Sequence, residues 1–261
     1  MHCRTINIRT AAIFAFLVGG HGAPYGSDYG GLSSSEIFPN RCSPPSLPES
    51  RINHALFTTV GPSPRVALCG GEGIVHVIGE GETLTTLASC LVLDQDMKDW
   101  DDSRMSSLPQ PRCEHAVVTL EGIGNYLIGG LPIADDGDDT FLMTSDFLAA
   151  GSQQWVTGPA TPVEGVWDVR GPCSVAISEQ SFLVIGGLNI REYRVDLAKP
   201  TSNEGWQKST RWPDLQQKRA QQPGCARISG HWCLQDEPIC FSFLFFYFDL
   251  NLLHERSFGQ N

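Results

Sequence analysis

The sequence predicts an all-β fold made of repeated four-stranded units, and three observations predict it. Glycine pairs recur at Gly70-Gly71, Gly129-Gly130 and Gly186-Gly187, 59 and then 57 residues apart. A tryptophan follows each pair, at Trp100, Trp155 and Trp206, with intervals of 55 and 51 residues. An arginine opens the apolar segment ahead of each pair: Arg51, Arg112 and Arg170. A period of about fifty residues with short β-rich runs and glycine punctuation is the mark of β-propeller blades. Blades are a scaffold, so function has to be sought in their loops.

The second copy reads most plainly. Residues 115–120 (HAVVTL) predict a strand, EGIGN a turn, and 126–130 (YLIGG) the second strand. The acidic loop 134–139 (ADDGDD) leads into TFLMTSDF as the third strand, and Trp155-Val156 starts the fourth after GSQQ. In the third copy the strands fall at 174–177, 182–187 and 192–197, and the loop AKPTSNEG precedes Trp206. The first copy is looser, with strands at 55–60, 65–71 and 89–94 and a fourth near Trp100. Its segment GEGIVHVIGEGETLTT is longer than the matching loops and predicts an excursion of its own. The three blades therefore span about 50–109, 110–168 and 169–216.

Each repeated residue type has a physical reason. The glycine pair ends the second strand, where a side chain would clash or force an unfavourable positive φ. The tryptophan supplies an apolar plate between neighbouring blades, with one N–H to satisfy. The arginine fork can bond loop carbonyls. His54 and His115 sit three residues after their arginines, and Cys173 takes that place in the third copy.

This arrangement resembles the kelch motif, whose repeats carry a Gly-Gly pair, a spaced tryptophan and often an arginine-histidine start. The stretch RCEHAVVTL…YLIGG…W carries the resemblance best, followed by RGPCSVAI…FLVIGG…EYRVDL…W. RINHALF…ALCGG…SCLVLD…W matches with stretched spacing, and the resemblance covers residues 34–230. Residues 34–49 resemble the outer strand and exit loop of a preceding blade. Residues 217–230, with KRAQQPGCARIS, resemble the start of a fourth blade that has no Gly-Gly. The resemblance implies a ring of about five to seven blades. Three blades and two fragments would leave that ring incomplete, with open edges prone to aggregation.

Composition narrows the function classes. The formal net charge is −11, from 29 acidic and 18 basic residues, and the longest basic cluster is Lys218-Arg219. Phosphate backbones and anionic membranes need counter-charge, so neither nucleic acid nor a membrane surface is an expected partner. Residues 1–23 read as a secretory signal, with Arg4 and Arg9 ahead of the apolar run 11–18 (AAIFAFLV). Small residues follow, and cleavage fits after Gly20 or Gly22 better than after Ala23, which precedes Pro24. The other reading of this run is a buried N-terminal strand. It is too short to anchor the mature chain across a bilayer.

Cysteine usage fits export. Outside the leader and the tail, six cysteines remain, at 42, 69, 90, 113, 173 and 225, and an oxidising compartment permits a disulfide framework. Cys69 ends one predicted strand and Cys90 opens its neighbour, so Cys69–Cys90 is the expected pair; the alternative is two small buried hydrophobes. No Asn-x-Ser/Thr sequon occurs, and N-glycosylation is not expected.

Residues 231–261 depart from the pattern, holding six of the thirteen phenylalanines and the run ICFSFLFFYF. Its β propensity and lack of charge make it aggregation-prone. The tail reads as an addition foreign to the propeller, from an alternative 3′ end, with a C-terminal membrane anchor as the rival.

Catalytic chemistry finds little footing. The acidic loop around Asp135, Asp136, Asp138 and Asp139 lacks the spacing and closing glutamate of an EF-hand and reads as solvated. His54, His76 and His115 are not in metal-ligand spacing, and two of them occupy equivalent repeat positions. Galactose oxidase resembles this family in its propeller and carries copper, but Tyr126 and Tyr193 lie in predicted strands away from any His-Cys cluster. No catalytic residue, cofactor or metal is expected. The chain reads as a secreted module that binds a protein partner through loops 72–88, 131–139 and 188–191. Extracellular carbohydrate is the second choice of ligand, a copper oxidase the competing class, and a truncated product without function the third.

Overall fold

Short runs of β-branched and aromatic residues between glycine-bearing turns favour paired strands over helices, and strands dominate throughout. The computed structural model describes residues 15–18, 33–38, 45–77, 81–132, 142–161, 172–186, 189–208, 224–228, 231–235 and 244–245. In chain order, β1 (Ala15–Val18) pairs antiparallel with β2 (Ser35–Phe38). Residues 15–18 of the apolar run read as the core of a leader form this strand.

The first blade is β4 (Ala55–Thr58), β5 (Val66–Cys69), β8 (Cys90–Leu93) and β9 (Trp100–Asp101), paired in that order. Its long loop is a separate sheet in which β3 (Arg51–Ile52) pairs with the hairpin β6 (Glu72–Val77) and β7 (Gly81–Thr86). The second blade is β10 (Ala116–Leu120), β11 (Gly124–Ile128), β12 (Ser145–Ala149) and β13 (Trp155–Thr157). The third is β14 (Cys173–Ser178), β15 (Ser181–Gly186), β16 (Asn189–Arg194) and β17 (Trp206–Lys208), with a short 3-10 turn at Asn203–Gly205.

Every pairing inside these three sheets is antiparallel, and β4, β10 and β14 stand side by side as successive first strands. A further hairpin, β18 (Gly224–Ile228) and β19 (His231–Gln235), continues the series, with β18 beside β14. Its second strand reaches into the residues read as a foreign tail. Within that tail, β20 (Leu244–Phe245) pairs with β1. This is a β-propeller-like arrangement of four-stranded antiparallel sheets. No helix among the described residues is long and apolar enough to cross a membrane.

Strand bounds shift from the sequence reading in two places. The third strand of the second blade is Ser145–Ala149, later than TFLMTSDF implies, because Ser145 and Asp146 are buried and bonded despite their polarity. The third strand of the third blade begins at Asn189 and pairs with Gly186, so residues 189–191 are strand and not a contact loop. The antiparallel register carries the β15–β16 ladder as far as the Gly186–Asn189 pair, which takes residues 189–191 into the sheet.

The core lies between the sheets. Alternation in β10 buries Ala116, Val118 and Leu120, which meet Tyr126, Phe147, Phe182 and Tyr193 between the second and third blades. Trp206 packs edge-on to Phe182 with ring centroids 6.0 Å apart. Trp155 fills the preceding seam, 5.8 Å and edge-on from Phe57, among Ala67, Val92, Leu108 and Leu127. Trp100 covers Leu47, Leu56 and Leu91, and its Nε1 donates to the Pro45 carbonyl at 2.9 Å. Trp155 and Trp206 therefore sit where successive sheets face each other, and Trp100 covers the outer side of the first. Truncating a buried aromatic of this size costs about 3–5 kcal/mol.

Candidate functional site

Two of the repeated arginines are the largest fully buried side chains among the described residues. Arg51 and Arg112 are both 0 % exposed. Arg51 Nη1 donates to the carbonyls of Gly70 at 3.1 Å and Ser89 at 2.9 Å, and Nη2 donates to Ser89 Oγ at 2.8 Å. Glu49 closes the other side of the same nitrogen. Arg112 repeats the pattern one blade later. Its Nη1 donates to the Gly129 carbonyl at 2.7 Å and the Thr144 carbonyl at 3.1 Å, and its Nη2 reaches Thr144 Oγ1 at 3.2 Å. Asp146, itself buried, supplies the counter-charge 2.9 Å from Arg112 Nη2.

Burial pushes both guanidinium groups down from their ordinary range, against the pull of Glu49 and Asp146. Burial likewise pushes the Asp146 carboxyl up against the pull of Arg112. Only a charge held by several well-aimed acceptors survives such desolvation. Arg170 and Gly187 lie outside the described residues, and Gly186 closes β15.

The glycine pairs are left-handed, with φ of 66° and 89° at Gly70 and Gly71 and 68° and 95° at Gly129 and Gly130. A Cβ on Gly71 would lie 2.5 Å from the Ile52 carbonyl, and one on Gly130 would lie 2.4 Å from the Cys113 carbonyl. Both positions therefore need glycine twice over, for dihedral and for space. The first glycine of each pair faces the next blade. A Cβ on Gly70 would meet the Arg112 carbonyl at 2.4 Å and His115 Cε1 at 2.7 Å, whereas on Gly129 the nearest atom is Pro172 Cγ at 3.4 Å. Gly71 N–H donates to the Arg112 carbonyl at 2.8 Å, tying the first blade to the second.

Several supporting residues escaped the sequence reading. Asn53 and Glu114 occupy the same repeat position and share a left-handed backbone, φ 55° and 51°. Glu114 N–H donates to the Asn53 carbonyl at 3.0 Å, another link between blades. Ser89 and Thr144 are hydroxyl residues placed immediately before the third strand in two copies, a signal that alignment of the repeats could have supplied. Asp146 has no counterpart at that spacing and left no signal.

Cysteine placement is mixed. Cys69 and Cys90 stand opposite each other on β5 and β8 and form the expected disulfide. Cys173 is also disulfide-bonded. Cys113 is a free, buried thiol beside Glu72, and burial pushes it far up from its usual range, with Glu72 and Glu114 adding to the effect. Such a thiol is inert. No group of three His, Cys, Asp or Glu side chains among the described residues could hold a metal ion.

What varies between blades is the connection from second to third strand. It carries the hairpin β6–β7 in the first blade, spans 129–144 in the second, and shrinks to residues 187 and 188 in the third. The acidic loop of the second blade lies outside the described residues.

Comparison with known proteins adds the fold and no more. No family model matches the chain, and no curated protein does. A solved structure of a protein named YjhT is similar with a TM-score of 0.52 at 16 % identity, covering 76 % of this chain and 67 % of that one. At that identity the shared property is the β-rich architecture of repeated sheets.

Proposed function

We propose that the chain is an extracellular interaction module of the kelch-propeller kind, which holds a protein partner on the face that carries its second-to-third-strand connections. One observation carries this reading: the frame repeats while these connections do not. Arg51 and Arg112 make the same bonds in successive blades, yet the connection they brace runs over 70–89 with the hairpin β6–β7 in one and over 129–144 in the other. Positions that differ between otherwise equivalent units are where binding specificity can be placed without disturbing the core. The guanidinium ends of Arg51 and Arg112 are held by carbonyls, hydroxyls and a carboxylate of their own blades, which gives them structural tasks.

Export is part of the same proposal. The Cys69–Cys90 disulfide suits an oxidising compartment, and the leader-like residues 1–23 suit export. The test replaces residues 72–86 by a two-residue turn of the same length as 187–188, and separately exchanges residues 131–139. Partners retained by the intact secreted chain should be lost from one or both variants while melting temperature stays within a few degrees. Retention unchanged in both overturns the proposal. A glycan array run beside it distinguishes carbohydrate from protein as the ligand.

A further inference from the structure

What fills the seam at the first glycine differs between the two described pairs. At Gly70 the filler is the imidazole of His115, whose Cε1 lies within 2.7 Å of where a Cβ would stand. At Gly129 it is the ring of Pro172. The first seam thus holds a titratable wedge and the second an inert one. His115 is 8 % exposed, and its Cβ is pressed against Gly130 of its own blade.

The wedge sits in a positive setting. Arg112 and His54 are the charged or titratable groups that act on His115, and the carbonyls of Cys69 and Cys113 face its ring. The nearby carboxylates are engaged elsewhere. Asp146 pairs with Arg112, Glu49 pairs with Arg51, and Glu72 accepts from Asn53 Nδ2 at 3.0 Å. Glu72 and Glu114 both act on Cys113, and the Cys69–Cys90 disulfide does not titrate.

We infer that the seam between the first and second blades is a proton-sensitive joint, with His115 as the wedge that loosens it when charged, while the Pro172 seam stays closed. Charging a buried imidazole beside a guanidinium and a second imidazole adds repulsion and desolvation with no carboxylate to offset them. Burial, Arg112 and His54 already hold His115 well below the ordinary histidine range. The closed seam therefore binds no proton there, and the opened seam does. Stability of the joint is fully present above the free-histidine pKa of about 6.5 and is lost as pH falls below it. Between pH 7.5 and 5.5 one such group multiplies the opening constant about tenfold.

Amide hydrogen exchange on the full oxidised chain tests this, with rates corrected for intrinsic chemistry. The amides of Gly71 and Glu114 report the first seam, since they donate to the Arg112 and Asn53 carbonyls. Gly129, bonded to the Thr144 carbonyl, and Ala160, bonded to Asn203 Oδ1, report the second blade and its neighbour. Opening at Gly71 and Glu114 should rise about tenfold or more from pH 7.5 to 5.5 while Gly129 and Ala160 hold steady. His115→Gln should flatten the rise. A flat profile in the native chain overturns the inference, and so does an equal rise at all four amides. The native-chain profile decides the matter even if His115→Gln does not fold.

Discussion

Arg112 Nη1 lies 2.7 Å from the carbonyl of Gly129, and Arg51 Nη1 lies 3.1 Å from the carbonyl of Gly70. The same bond appears in two blades at the same repeat position, so the turn that ends each second strand is held from beneath by a buried cation.

Replacing Arg112 with Leu should be among the most damaging single changes. It leaves Asp146 buried without its counter-charge and strips the Gly129 and Thr144 carbonyls of a donor. The expected loss is about 3–5 kcal/mol in urea unfolding. Arg51→Leu should cost less, because Glu49 is 38 % exposed and can turn to water. Equal losses would contradict this ordering.

Gly130→Ala should destabilise more than Gly122→Ala. Both have positive φ, at 95° and 73°, and share a left-handed penalty of about 1–2 kcal/mol. A Cβ at Gly130 also meets the Cys113 carbonyl at 2.4 Å, while at Gly122 nothing lies within 4 Å. Thermal melts of the two variants give the comparison directly.

The Cys69–Cys90 bridge closes a separation of 21 residues inside one blade. Loops of this size are worth about 3 kcal/mol through the unfolded chain. The double variant Cys69→Ala, Cys90→Ala should lose that amount with its β spectrum retained. Using this variant rather than a reductant leaves the bridge at Cys173 intact.

Stability should also fall at alkaline pH. The phenol of Tyr193 is pushed up to about 12 by burial, with Asp196 adding to it, and burial pushes Tyr126 up further. The Tyr126 hydroxyl donates to the Pro200 carbonyl at 3.0 Å, and the Tyr193 hydroxyl donates to the Ser202 carbonyl at 2.7 Å, with Pro200 at 3.2 Å. The unfolded chain loses these protons above about pH 10 while the folded chain keeps them, so stability drops as pH rises past that point. Absorbance titration should show two of the five tyrosines ionising only with unfolding.

Much of this architecture was legible because the Arg, Gly-Gly and Trp positions solve one packing problem repeatedly. A residue that must have positive φ, or must fill a seam, leaves the same letter at each turn of the repeat. Legibility fails where polarity and burial part company. Asp146 falls inside the segment read as the third strand of the second blade, but nothing in the pattern marks it as the buried counter-ion of Arg112. Asn53 and Glu114 adopt left-handed backbone without being glycine, so no composition rule marks them. The hairpin β6–β7 was visible as excess length, but its pairing with Arg51 and Ile52 depends on a contact across the blade entrance. The strand pairing of Ala15–Val18 with Leu244–Phe245 joins residues from opposite ends of the sequence, a distance no local pattern records.

The bond from Gly71 N–H to the Arg112 carbonyl carries one more consequence. The first glycine turn is completed by backbone that belongs, in sequence, to the following copy. The stretch that natural duplication would repeat and the body that folds as a sheet are thus out of phase. A copy gained or lost at its own boundaries still hands a finished corner to its neighbour, which lets such arrays change length without redesigning the joints between their members.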